Sequence, residues 1–402
     1  MNQLQIADRN IKLYIFIKIF AKRVFLPLSA IYFIDTAGFT IQDIGILAAF
    51  YSLVQLVAEV PTGYFADRIG RVASIRLGAL SCVTATLCYI FFSTKFGIFT
   101  GTFFEALGYS FLGGAGEALI HDSLVVKKLQ DSYTKVMSRA MAISLVANAV
   151  LISLVPMTYA IDPRYPYMIG TLAYLCLFLA GMYMQDLPGF LSRKKIVISE
   201  LKQLTGKRYI LLACLSFGII SAFYSSNTDT INVAMREYGI PASLLGWIFG
   251  ISSLVGALLG YLIQYLGKVK LSTYLLVDLA VILFVFLGGY SQSAPLLATA
   301  VIIAVSFYRY RKIIYQNYLL AIFPTSYKAT LISSMNNLEQ LNSVWLALLI
   351  TSLVYYTNIH LGIGLMGIFA FLIAPVFYFS MLKFFARDLT PQPLVNHPGD
   401  AV

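Results

Sequence analysis

The chain has 402 residues, 59% of them hydrophobic and 12% charged, with a formal net charge of +11. Soluble domains are about half apolar and about one quarter charged, so this composition excludes a water-soluble protein and points to an integral membrane protein. The positive charge does not indicate nucleic acid, because Lys and Arg lie between apolar stretches rather than on one solvated face.

A helix needs about 20 apolar residues to cross the hydrocarbon core. In chain order, spans are predicted at 13–35, 41–65, 73–93, 97–120, 139–160, 167–186, 209–232, 243–265, 271–290, 294–322, 330–356 and 363–384. Met1 to Lys12 is polar and the apolar run after it exceeds a signal core, so no cleaved leader is expected. Cytoplasmic loops carry the excess of Lys and Arg. With the N-terminus inside, 20 of the 29 basic residues fall at the cytoplasmic side, counting Arg76, Arg139 and Lys383 at the cytoplasmic ends of their spans; only Lys95, Arg164 and Arg236 face outward, and six lie deeper within spans. Both termini are therefore expected in the cytoplasm, and the membrane is read as a bacterial inner membrane. The longest connection, 187–208, is basic and suits contact with anionic lipid. It divides the chain into an N-terminal bundle (1–186), a linker (187–208), a C-terminal bundle (209–388) and a tail (389–402).

Charges inside spans are costly and mark functional sites. Lys18, Lys22 and Arg23 fall in the first span. They belong either to a cavity, with Lys18, Lys22 and Ser29 on one face, or to the basic flank of a span that begins nearer Val24. Glu105 in the fourth span and Asp229 in the seventh are candidates for the coupling proton, since a carboxyl held away from water can load and release a proton near neutrality. A salt bridge to the basic clusters is the alternative for each. Glu59, Glu117, Asp278 and Glu339 are weaker candidates. The tenth span carries Tyr308-Arg309-Tyr310-Arg311-Lys312. Arg309, Lys312 and Gln316 share one helical face, bordered by Tyr308, and suit a carboxylate or phosphate; Arg311 points elsewhere. The alternative for this cluster is an ion pair with Glu339 or Asp229.

After the second span stands Gly63-Tyr64-Phe65-Ala66-Asp67-Arg68-Ile69-Gly70-Arg71, and six spans later Gly260-Tyr261-Leu262-Ile263-Gln264-Tyr265-Leu266-Gly267-Lys268 occupies the corresponding place. A degenerate repeat at matching positions of two halves is a transporter signature. Asp67, Arg68, Arg71 and Asp122 could form a charge network at the membrane edge that biases a two-state equilibrium.

The run Gly63–Arg71 resembles the G-x-x-x-D-R-x-G-R signature of the major facilitator superfamily, and the six-plus-six layout extends the resemblance over nearly the whole chain. Gly116–Leu124 is similar to a run common in the drug-efflux-like branch. Two patterns of proton-driven drug exporters are missing: Glu105 stands near the place of a common arginine, and 140–160 lacks a Gly-Pro pair. The resemblance implies two six-helix bundles related by a pseudo-twofold axis, with spans one, four, seven and ten lining a central cavity.

The expected function is secondary transport by alternating access, proton-coupled, of a small anionic or amphipathic metabolite, with efflux slightly favoured over uptake. Multidrug efflux of neutral or cationic compounds is the alternative. No metal or cofactor is expected: Cys82, Cys88, Cys176 and Cys214 lie in apolar runs without Cys-x-x-Cys spacing, and the three histidines are scattered. No G-x-x-x-x-G-K-[ST] loop occurs, so ATP is not the direct energy source. A membrane enzyme using His121 and Asp122 is remote, because neighbours on a helix diverge by about 100°. The partners expected are the solute, protons and the bilayer, with no nucleic acid, and the chain is expected to be monomeric. The charge asymmetry has a direct check. Cysteines placed at Lys128, Ser199 and Lys328 should be shielded from an impermeant thiol reagent outside intact cells, and labelling at Ser199 would overturn the six-plus-six topology.

Overall fold

The computed structural model of the chain describes residues 2–129, 132–189, 218–263, 271–322 and 328–385. Its helices are α1 (Gln3–Phe20), α2 (Ser29–Ala37), α3 (Ile41–Arg68), α4 (Arg71–Phe91), α5 (Lys95–Leu112), α6 (Ala115–Val126), α7 (Tyr133–Leu154), α8 (Tyr165–Tyr183), α9 (Thr228–Glu237), α10 (Ala242–Ile263), α11 (Leu271–Tyr290), α12 (Ala294–Ile322), α13 (Lys328–Tyr356) and α14 (Ile359–Phe385). Residues 218–225 are also helical, and no strand occurs among the described residues. Eight of these helices are long and apolar enough to cross a membrane. Most of the linker, the second copy of the motif from Gln264 to Lys268, and the tail lie outside the described residues. The chain forms two compact units: Met1–Lys195 with Ile240–Gly250, and Ile196–Gly239 with Ile251–Val402.

In the first unit, the predicted spans 13–35 and 97–120 are each broken in two. α1 ends at Phe20, residues 21–25 leave the helix, and a 3₁₀ turn at Leu26–Leu28 leads into α2. Pro27 lacks an N–H and cannot continue the ladder. Carbonyls freed at such a break need partners at membrane depth. The Tyr109 hydroxyl donates to Ala21 O at 2.9 Å, and Ser144 Oγ donates to Lys18 O at 2.7 Å. The fourth span breaks at Gly113-Gly114, where Gly114 takes φ +72° between α5 and α6. Side chains lack easy access to that conformation.

Because of the first break, α1 begins about ten residues before the predicted span and runs antiparallel to α6. The pairs Asp8–Lys127 and Lys18–Glu117 mark the two ends of that contact, with Tyr14, Ile120, Leu124 and Ala140 packed between them. α4 and α5 approach closely where Gly78 meets Gly108: a methyl on either would lie 2.9 Å from the other's carbonyl oxygen. That closeness places Tyr89 of α4 beside Glu105 of α5.

The second unit is built round a buried charge. Arg311 of α12 is 1% exposed, and its Nε donates to both oxygens of Asp278 on α11 at 2.7 and 2.8 Å. Nη1 donates to Ser221 Oγ at 2.6 Å, and the Tyr378 hydroxyl of α14 donates to Asp278 at 2.6 Å. Tyr315, one turn after Arg311 and so on its face, holds its ring 4.9 Å from the guanidinium. The expected partners of the basic cluster were Glu339 or Asp229, but Arg311 pairs with Asp278: an arginine facing the bundle interior requires a carboxylate there, and Asp278 supplies it. Arg311→Leu should cost about 3–5 kcal/mol by stranding Asp278, and adding Asp278→Leu should recover a large part. Thermal unfolding of both variants in detergent tests this; equal losses would show that the pair does not act as a unit.

Candidate functional site

The break between α1 and α2 delivers Arg23 to a polar site inside the first unit. Glu105 and Tyr109 lie one turn apart on α5, and Tyr51 and Gln55 one turn apart on α3, so each helix presents a pair on one face. The Arg23 guanidinium stands 4.9 Å from the Tyr51 ring centre and 4.7 Å from that of Tyr109, a cation–π arrangement on two sides. Arg23 Nη2 donates to the Tyr51 hydroxyl at 2.9 Å, and Gln55 Nε2 donates to the same oxygen at 3.0 Å. Tyr51 therefore accepts twice and keeps its own proton to donate.

Arg23 Nε is 3.5 Å from Glu105 Oε1, an ion pair without a hydrogen bond. Glu105 Oε2 accepts from the Tyr89 hydroxyl at 2.7 Å, whereas Oε1 is buried and accepts no hydrogen bond from the described residues. The Glu105 side chain is 8% exposed, and that of Arg23 is 28% exposed. Of its five N–H groups, one is spent on Tyr51 among the described residues. The site thus combines a loosely paired cation, a hydroxyl with a proton to give, and a buried carboxylate.

Of the first-span basic residues, Arg23 alone joins Glu105. Lys22 is exposed, and Lys18 pairs with Glu117 at 3.0 Å over the Tyr14 ring. The unwound backbone turns these three residues in different directions, so the single face expected for Lys18, Lys22 and Ser29 does not form.

At the membrane-edge motif, Arg71 pairs with Asp122 and donates from Nη1 to Ala118 O at 2.7 Å. Asp67 and Arg68 are exposed and stand outside that close pair: Arg68 lies over the Tyr64 ring at 4.9 Å, and the Asp67 carboxylate acts on the Arg71 charge from nearby. Asp67 forms no ion pair among the described residues. The third member is Asp186, whose Oδ1 accepts from the backbone N–H of Arg71 at 2.9 Å and of Val72 at 3.1 Å. A carboxylate there satisfies orphan donors at the N-terminus of α4 and opposes its dipole. Gly70 is required beside it: φ is +147°, and a Cβ would run into Asp186. Gly63, by contrast, has open space around it. Asp186 was legible only as an acid directly before the Leu-Pro-Gly that ends the bundle.

In the second unit, the Tyr308 hydroxyl donates to Glu339 at 2.5 Å, and its ring lies 5.4 Å from that of Tyr224. Arg309, Lys312 and Gln316 lie on α12, but their side chains fall outside the described residues. Asp229 is in the first turn of α9 and half-buried.

With this geometry in view, comparison with known proteins is informative. The family model described as Major Facilitator Superfamily matches residues 13–347. The chain is 22% identical over 390 residues to the uncharacterized MFS-type transporter YxaM of Bacillus subtilis, covering 90% of this chain and 92% of that one. In fold it is similar to the crystal structure of the nucleoside transporter NupG, with TM-score 0.78, 11% identity, and 95% and 99% of the two chains covered. It is also similar to an auto-inhibited peptide transporter of the POT family, with TM-score 0.75, 14% identity and 99% of each chain covered. At these identities the structural likenesses bear on fold alone.

Proposed function

This chain belongs to the Major Facilitator Superfamily and is a multi-pass membrane transporter, and from that premise we propose that it moves a small organic anion by proton-coupled alternating access. The observation that carries the reading is Arg23, a guanidinium at a helix break, 28% exposed and loosely paired with a buried carboxylate. Irregular backbone at membrane depth is tolerated where it is enclosed by protein or lines a cavity, and transporters place their sites there. An arginine flanked by two tyrosines suits a carboxylate or a similar anion.

In this reading Arg23, with Tyr51 and Tyr109, is the anion contact of the first unit, and Glu105 carries the proton. Arg309, Lys312 and Gln316, bordered by Tyr308, are the corresponding candidates on α12, and Asp229 is a second coupling candidate. The gate at the membrane edge is Arg71, Asp122 and Asp186, with Asp67 and Arg68 as charges that join it in another conformation. The two bundles, 1–186 and 209–388, are the moving parts, and 187–208 is their cytoplasmic tether. The chain works as a monomer in a bacterial plasma membrane with both termini inside. The similarity around Gly116–Leu124 is the only support for export over uptake.

Proteoliposomes under an imposed pH gradient, offered organic acids, neutral nucleosides and organic cations, test the reading. Wild type should move an acid, and Arg23→Gln should weaken its binding roughly ten- to a hundred-fold, the equivalent of about 1.5–3 kcal/mol for a charged hydrogen bond. A cation as preferred solute, moved equally well by Arg23→Gln, would overturn it.

A further inference from the structure

The two buried arginine–carboxylate pairs differ in how completely each is closed. Arg311 and Asp278 are 1% and 0% exposed, joined by two hydrogen bonds and completed by serine and tyrosine hydroxyls. Both side chains of that pair are shut away from solvent. Arg23 and Glu105 are 3.5 Å apart with no hydrogen bond between them, Arg23 keeps unspent donors on an accessible edge, and Glu105 Oε1 is buried without a donor. An ion pair held this loosely is open to substitution.

Resting on the anion-transport reading above, we propose that the ligand's carboxylate displaces Glu105 from Arg23, and that Glu105 takes one proton as it is displaced. The exchange balances. The ligand carboxylate brings one negative charge to the guanidinium, a proton from water bonds to Glu105 Oε1, and Tyr89 continues to donate to Oε2. The site begins and ends with one positive and one negative charge, so no uncompensated charge is left in the bundle, which is what burial penalises. Tyr51 supplies a second contact, because its hydroxyl accepts from Arg23 and Gln55 and has its proton free to give.

The groups facing Glu105 are Arg23 from the break, Tyr51 from α3, Cys82 and Tyr89 from α4, Tyr109 from α5, and Tyr167 and Tyr174 from α8. Phenols and thiols ordinarily titrate well above carboxyls, so Glu105 is the member of this set to take the proton that the exchange requires. One proton accompanies each anion on the same side of the membrane. The two therefore travel together, and an inward proton gradient drives uptake. This direction runs against the export suggested by Gly116–Leu124.

Binding of labelled benzoate, acetate and succinate to the purified full chain, measured from about pH 5.5 to 7.5, tests the exchange. Wild type should bind about tenfold more weakly per pH unit, by linkage of one proton to one anion. Glu105→Gln should bind at every pH with the wild type's low-pH affinity. Glu105→Asp should restore the pH dependence, which distinguishes proton exchange from a general loss of structure. Arg23→Gln should lose binding, while Arg23→Lys keeps a weakened, still pH-dependent affinity. If Glu105→Gln keeps the wild-type slope, the exchange is wrong while anion binding stands. If wild type binds none of the three carboxylates at any pH, the anion reading itself fails and the exchange fails with it.

Discussion

A guanidinium held among apolar helices must be met by a carboxylate and by hydrogen-bonding groups where it stands, because stranding either charge costs several kcal/mol. Much of each unit is arranged round that requirement. Asp278, Ser221, Tyr315 and Tyr378 come from different parts of the second unit to enclose Arg311. In the first unit the helix itself gives way. α1 stops before Arg23, and the carbonyls exposed by the stop are taken by Tyr109 and Ser144. Tyr109 then serves twice, closing the backbone with its hydroxyl and covering the guanidinium with its ring.

The two solutions have opposite consequences. A closed pair fixes helix positions and supplies rigidity. A loose pair, with the arginine partly accessible, stores an interaction that a ligand can replace. The proposed proton-coupled transport draws on both: units rigid enough to move as bodies, and a site whose charge balance changes only when solute and proton are both present. A ligand can shift a conformational equilibrium only by its differential affinity for the two states. Cancelling a charge at Arg23 while neutralising Glu105 provides such a difference. At the membrane edge, Arg71, Asp122 and Asp186 tie α4, α6 and the chain just after α8 together.

The class of the protein and most span positions were legible because hydropathy integrates over about 20 residues: α11 and α12 begin and end where the apolar runs at 271–290 and 294–322 do. The helix breaks were not legible, although Pro27 and Gly113-Gly114 mark them, because apolar runs continue through both and hydropathy does not register backbone direction. That omission left Lys18, Lys22 and Arg23 open between a cavity and a basic flank. Glu105 was legible as a charge in a span, but Tyr51, Gln55, Tyr89 and Tyr109 were not, since tyrosine in a span is as readily a packing residue as a ligand contact. Helical spacing sets Arg311 apart from Arg309, Lys312 and Gln316, yet spacing alone does not tell which face meets the core. Arg71 and Asp122 of the motif region pair directly and Asp67 acts on Arg71 from nearby, while Asp186 was not legible because its contact joins residues more than a hundred positions apart.

The central claim, that anion and proton exchange at one arginine–glutamate pair, is tested most directly by counting protons. Purified wild-type chain in weakly buffered detergent solution near neutral pH should take up about one proton from the medium for each benzoate bound, and Glu105→Gln should bind benzoate with no proton uptake. Equal proton uptake by the two proteins, or none by wild type while it binds benzoate, would contradict the account.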